Sequence, residues 1–241
     1  MYKVILECSF DSNDPTSNSI VFMGRKKLDR FAQNEQNYNV VEDGKPFYAH
    51  CKGKWQEEHF KNTNPLVLEL ACGRGEYSVG LAEQYPQKNF VGVDIKGARI
   101  WKGSTIAIEK GLENVAFLRT YIQNLEQFFE NKEVFEIWII HPDPRPKEAD
   151  ARRRLTHPRF FAMYKNLLQK DGWLHFKTDN TGLFDYTLEI LQEQKIKNFS
   201  YTYDLHNSEF AKDHFGIKTK YEIAFEEKGE KIKYLKFQFE E

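Results

Sequence analysis

The sequence predicts an α/β chain built on a doubly wound, mostly parallel sheet of seven strands with helices on both faces. Two observations carry that prediction. From Pro65 onward, short apolar runs of strand length alternate with stretches of helical periodicity, the pattern of right-handed strand–helix–strand units. The 241 residues are enough for one such domain with some decoration, and 40% apolar and 29% charged residues are ordinary for a chain that buries a single core.

The elements are read in order. Leu66–Ala71 is a buried strand followed by Cys72, Gly73, Arg74 and Gly75, and a helix then runs to about Gln84 and stops near Pro86. Phe90–Ile95 is the second strand, and Ala98–Lys110 a helix closed by Gly111. Val115–Leu118, a helix to about Glu130 and the strand Val134–Ile140 continue the alternation. After a polar loop come a helix near Phe160–Leu168, a strand at Trp173–Lys177 and a helix at Leu183–Gln192. Aromatic alternation at Phe199–Tyr203 and Tyr234–Phe239 marks two last strands.

Before Pro65 the sequence shows no regular patterning. Asp11–Ser19 gathers Asn, Asp, Ser and Pro and is expected to be loosely attached, and Met23-Gly24-Arg25-Lys26-Lys27 has the look of a natural start. The expected division is a flexible extension over 1–22, a segment packing on the core over 23–64 and the main domain over 65–241.

Net charge is −1, so nucleic-acid affinity has to come from a local patch. Cys8, Cys51 and Cys72 are odd in number and lack metal-site spacing, which suits free thiols in a reducing cytoplasm, and no metal is expected. No stretch approaches the length of a membrane span, and the apolar run at Val4–Leu6 is too short for a signal peptide.

Ligands of doubly wound sheets sit at the carboxyl ends of the strands, so the loops after Ala71, Asp94, Leu118 and Ile140 should converge on one crevice. Gly73 and Gly75 permit a tight turn and close approach of backbone to a ligand. The third glycine of a dinucleotide fingerprint is replaced by Ser78, and the acidic Glu69 ahead of the turn would repel a pyrophosphate. A cofactor bearing positive charge, with the amino group and sulfonium of S-adenosylmethionine, suits Glu69 better. Asp94 ends its strand, where a carboxylate can accept from both ribose hydroxyls or cap the next helix.

His141-Pro142-Asp143-Pro144-Arg145-Pro146-Lys147 follows the fourth strand of the main domain. Its three prolines stiffen a loop that carries Asp143 and Lys147, as positioning a substrate requires. From Arg145 to Arg154 five basic residues stand against two acidic ones, and the run Arg152-Arg153-Arg154 can seat an RNA backbone. His141 reads equally well as lying in the site or as structural or solvent-facing, His175 as a satisfied core histidine, and Trp101, Trp138 and Trp173 as core. Trp55 reads as packing against RNA or only against the first helix.

Together these residues give the stretch Lys52–Phe239 a resemblance to the bacterial tRNA (guanine-N7-)-methyltransferase family. The landmarks are Leu68-Glu69-Leu70 with Gly73-x-Gly75-Glu76, Val91–Asp94, Pro142-Asp143-Pro144-x-Pro146-Lys147, Arg153–Thr156, His175–Asn180 and Thr219–Glu222. The resemblance implies a Rossmann-like class I methyltransferase fold. It also implies methyl transfer from S-adenosylmethionine to N7 of guanosine 46 in the variable loop of tRNA, with S-adenosylhomocysteine as product and no DNA or membrane partner. Glu69, Gly73, Gly75 and Asp94 would hold the cofactor, with Tyr121 stacking on its adenine or the Ile122 amide binding it. Asp143 would be the active-site acid, Lys147, Asp179, Thr219, Tyr221 and Glu222 would contact the nucleoside, and Arg152, Arg153 and Arg154 the tRNA. Two positions depart from the family pattern: Arg145 stands where a Trp is usual, and Tyr121 where an acid is usual. Monomer and homodimer are both compatible with the sequence.

Overall fold

The structure, a computed structural model, describes residues 15–240, with side chains from residue 26 onward. Eight strands form one sheet: β1 (Val40–Val41), β2 (Leu66–Leu70), β3 (Asn89–Asp94), β4 (Val115–Arg119), β5 (Val134–Ile140), β6 (Leu168–Thr178), β7 (Ile196–Thr202) and β8 (Lys233–Phe239). Their order is β1-β4-β3-β2-β5-β6-β8-β7. The pairs from β1 through β6 are parallel, and β8 runs antiparallel to both β6 and β7. The helices are α1 (Pro15–Gln36), α2 (Glu76–Gln84), α3 (Gly97–Glu109), α4 (Pro158–Leu167), α5 (Thr181–Gln192) and α6 (Lys220–Glu226).

All seven expected strands are present, and the eighth is a two-residue edge strand, too short to leave a period in the sequence. Three further expectations are corrected. The region before Pro65 contains α1, one face of which seats Phe31 and Asn34 against α3: the Asn34 amide donates to the Gly97 carbonyl (2.9 Å). The Lys45 ammonium closes the C-terminal end of α1 by donating to the carbonyls of Asn34, Asn37 and Val40, each at 2.7 Å. The expected helix to Glu130 is instead a 3₁₀ segment over Ile122–Gln127. Residues 15–22 of the expected extension form the first turns of α1, whereas 1–14, and Cys8 with them, lie outside the described residues.

The strands of the parallel half are buried on both faces, as the unbroken apolar runs Leu66–Leu68 and Ile137–Ile140 require. Trp55 lies in the core rather than on an RNA-facing surface. It is fully buried, stacks on Phe129 at 5.3 Å and donates from its indole N–H to the Phe128 carbonyl (2.9 Å). Burying a side chain of this size is worth about 3 kcal/mol. Trp138 is core as expected, but Trp101 and Trp173 are only half-buried, their faces covered by Arg30 and Lys236. Cys51 and Cys72 are free and buried. Among the described residues, no helix is long and apolar enough to cross a membrane.

Candidate active site

The strand order reverses between β2 and β5, and the carboxyl ends of those two strands open into a cavity of about 310 Å³. Its walls come from Glu69 and the loop Ala71–Arg74 after β2, from Ile140 and His141 at the end of β5, from Arg99 of α3, and from Thr219 and Tyr221 at the start of α6. The loop after β4 is not part of this wall: Tyr121 is 57% exposed, and Ile122 packs against the core.

The two loop glycines do different work. Both have positive φ, +57° at Gly73 and +70° at Gly75. A Cβ on Gly75 would lie 2.4 Å from the Phe117 ring, so this residue lets α2 and α3 close over β4. A Cβ on Gly73 would meet nothing nearer than 3.9 Å, and Gly73 faces the cavity. Asp94 ties the loop in place. One of its carboxylate oxygens accepts from the Gly73 amide (3.0 Å) and the other from the Lys96 amide (2.8 Å) at the start of α3. Asp94 thus joins the glycine loop to the residue that precedes α3, but it is not the helix cap: the N-cap is Lys96, and no side chain caps α3.

Glu69 sits at the cavity floor with one oxygen accepting from the Ser78 amide (2.7 Å) and hydroxyl (2.5 Å). Burial pushes its carboxyl up to about 8, against the pull of those two hydrogen bonds. Among the described residues no cation pairs with it. A buried carboxylate in that condition, lining a cavity, calls for a cationic ligand. The residues therefore fit S-adenosylmethionine, whose ammonium would meet Glu69.

Behind the cavity lies a second charged group. His141, with φ +45°, points one ring nitrogen at Asp179 (3.0 Å) and the other toward Glu222 (3.6 Å). Burial alone would lower its pKa, but the bond to Asp179 and the nearby Glu222 carboxylate outweigh it and hold the imidazole above its ordinary value. Glu222 is fully buried and receives the Lys177 ammonium at 2.7 Å and His206 at 3.1 Å. Despite burial, the neighbouring His141 and Lys177 pull its carboxyl down to about 2. The same residue forms a capping box with Thr219, whose hydroxyl accepts from the Glu222 amide (3.1 Å), and so fixes where α6 begins. Lys177 also donates to the Tyr77 hydroxyl (2.6 Å).

The stiff loop after β5 leaves the cavity at His141, and neither Asp143 nor Lys147 lines the cavity. Asp143 is exposed, and Arg145 folds back on it, Nε to carboxylate 3.1 Å. Lys147, Arg152 and Arg153 are exposed, the last paired with Asp150 (3.2 Å). Arg154 is buried: it donates to the Arg145 carbonyl (3.2 Å) and lies over the Tyr186 ring at 4.3 Å.

Comparison with known proteins identifies the family. A family model described as "Putative methyltransferase" matches residues 63–235. A tRNA (guanine-N(7)-)-methyltransferase of Cytophaga hutchinsonii is 51% identical over 219 residues, which cover 90% of this chain and 99% of that protein. Its counterpart from Bacteroides fragilis is 45% identical over 89% of this chain and 86% of that protein. The chain belongs to the tRNA (guanine-N(7)-)-methyltransferase family. Among solved structures, the 16S rRNA methyltransferase KamB superposes with a TM-score of 0.57 at 14% identity, covering 77% of this chain and 92% of that one. The fold is that of the class I S-adenosylmethionine-dependent methyltransferases.

Of the residues proposed for the site from sequence, Glu69, Gly73, Thr219 and Tyr221 meet in the cavity, and Gly75 and Asp94 brace its loop. Glu222 and Asp179 stand one layer behind, reaching the cavity through His141. Sequence reasoning left His141 between the site and a structural role, where the structure puts it in the cavity wall, and gave Lys177 no distinct role. A lysine in the apolar alternation of β6 was the available signal, since a buried ammonium requires a carboxylate partner. His175 is a core histidine as expected, stacked on Trp138 with Nδ1 bonded to the Tyr234 hydroxyl (2.7 Å), but it is only half satisfied, since Nε2 has no hydrogen-bond partner among the described residues.

Proposed function

We propose that this enzyme methylates N7 of guanosine 46 in the variable loop of tRNA, in the cytoplasm, and that its described cavity holds the methyl donor. The carrying observation is the buried Glu69 carboxylate at the strand switch point, without a cationic partner among the described residues. S-adenosylmethionine, when bound, supplies a sulfonium-activated methyl group. Glu69 would bind its ammonium, Gly73 would allow close backbone approach, and Asp94 would serve the ribose while bracing the loop; Tyr121 and the Ile122 amide remain the candidates for adenine.

Guanine N7 carries an in-plane lone pair and no proton, so the transfer needs alignment rather than a general base. The product base is cationic, and a carboxylate brought beside it would favour the charge that develops. Asp143 would accept from the N1 and N2 hydrogens of the guanine, exchanging its Arg145 partner for the base. Lys147, Thr219 and Tyr221 would contact the nucleoside. Glu222 and Asp179 act through His141 and the start of α6, as positioning residues. The target base, engaged in tertiary pairing, has to be exposed before it can react.

The test is methyl transfer from labelled S-adenosylmethionine to unmodified tRNA, followed by nucleoside mass spectrometry. The expected product is 7-methylguanosine, lost when guanosine 46 is replaced. Asp143→Asn should lower turnover by roughly 10²-fold with cofactor affinity nearly intact. Methylation of a different atom, or collapse of cofactor binding in Asp143→Asn, contradicts the assignment.

A further inference from the structure

Beside the cofactor cavity, and sharing Arg74, Arg99 and Tyr221 with it, runs a second concavity of about 500 Å³. Arg30 of α1, Arg74 of the glycine loop, and Arg99 and Lys102 of α3 line it together with Trp101 and Tyr221. No acidic side chain among the described residues lines it. Among the described residues, none of these four cations forms an ion pair. Arg30 instead lies over the Trp101 ring at 4.8 Å, which holds its guanidinium without neutralising it.

The basic run after β5 has the opposite character. There Arg145 meets Asp143, Arg153 meets Asp150, and Arg154 is buried with Glu148 at 3.8 Å. The run that is conspicuous in the sequence is largely compensated within itself. The four cations of the concavity are scattered between positions 30 and 102 and become a cluster only in the fold. In a chain of net charge −1, such an uncompensated cluster is a local attraction for a polyanion.

We infer that this concavity binds the phosphate backbone of the tRNA flanking the target guanosine. The inference rests on the reading of the chain as a tRNA methyltransferase and adds the surface that seats the RNA. Guanidinium groups bind phosphate oxygens in a forked geometry. The Tyr221 ring, 56% exposed on the wall shared with the cofactor cavity, offers a stacking face for a base at the point where the backbone would enter. Four cations around one concavity exceed what a single phosphate requires and suit several successive ones.

The test is tRNA binding to the full chain, followed by fluorescence anisotropy across a range of salt concentrations. The variants are Arg30→Gln/Lys102→Gln, the exposed single change Lys102→Glu, and Arg152→Gln/Arg153→Gln. The double change in the concavity should weaken tRNA binding roughly tenfold, and the slope of log affinity against log salt should fall by about 1 for each cation removed. Lys102→Glu should weaken it too, and the Arg152/Arg153 variant should lose less than either. S-adenosylmethionine affinity, titrated in parallel, should stay within about twofold in the concavity variants, which shows that they fold. Wild-type tRNA affinity and salt slope in both concavity variants would overturn the inference. Failure of the tRNA methyltransferase reading shows separately, as absence of 7-methylguanosine from wild-type enzyme.

Discussion

Two regions of this molecule each bury a glutamate, and they treat it in opposite ways. At the glycine loop, Glu69 has Ser78 for company and its carboxyl is pushed up to about 8. At the start of α6, Glu222 is equally buried, yet Lys177 and His141 draw it down to about 2. The difference separates a carboxylate without a cationic partner among the described residues, the one proposed to meet the cofactor, from one that is paired within the protein. Burial alone does not mark a binding residue; burial without compensation, in the wall of a cavity, does. It follows that changes at Glu222 should be read in stability and changes at Glu69 in binding.

The largest expected effect is at Glu222. Glu222→Gln leaves the Lys177 ammonium buried without its counter-charge and should destabilise the fold by about 3–5 kcal/mol, measured by chemical denaturation. The pH dependence has a fixed sign. The folded carboxyl lies below its ordinary 4.5, so its contribution is present above that pH and is lost as pH falls toward about 2. Unchanged stability in Glu222→Gln would remove the distinction between the two sites.

Next comes Glu69→Gln, which should cost about 2–4 kcal/mol of cofactor affinity by isothermal titration. The unliganded protein should be no less stable than wild type near pH 8, because the amide carries no ionisation penalty. The folded Glu69 carboxyl lies above its ordinary 4.5, so the unliganded wild type loses stability as pH rises from there toward about 8. A Gln variant that unfolds readily while keeping cofactor affinity would exchange the roles of the two carboxylates.

Much of this was legible before the structure. The strand–helix alternation located all seven main strands, because each is a buried apolar run set apart by Gly, Pro or polar turns. Glu69, Gly73 and Asp94 were legible as a loop because residues near in sequence and of distinctive chemistry build it. The pair Lys177–Glu222 was not, since its partners are 45 positions apart and meet only through β6 and the cap of α6. Neither was the unpaired cationic concavity, whereas the Arg145–Arg154 run overstated its charge, its acids being drawn in by folding. α1 escaped notice because its polar start masks the face that packs on α3.

The most direct test is the proton balance of cofactor binding. Isothermal titration of S-adenosylmethionine near pH 7, repeated in buffers of different ionisation heat, reports protons released. Glu69 is largely protonated when unliganded at that pH and must ionise against the cofactor's ammonium, so most of one proton should be released by wild type and none by Glu69→Gln. Equal proton balance in the two proteins would mean that Glu69 does not meet the positive end of the cofactor, and the central claim would fall.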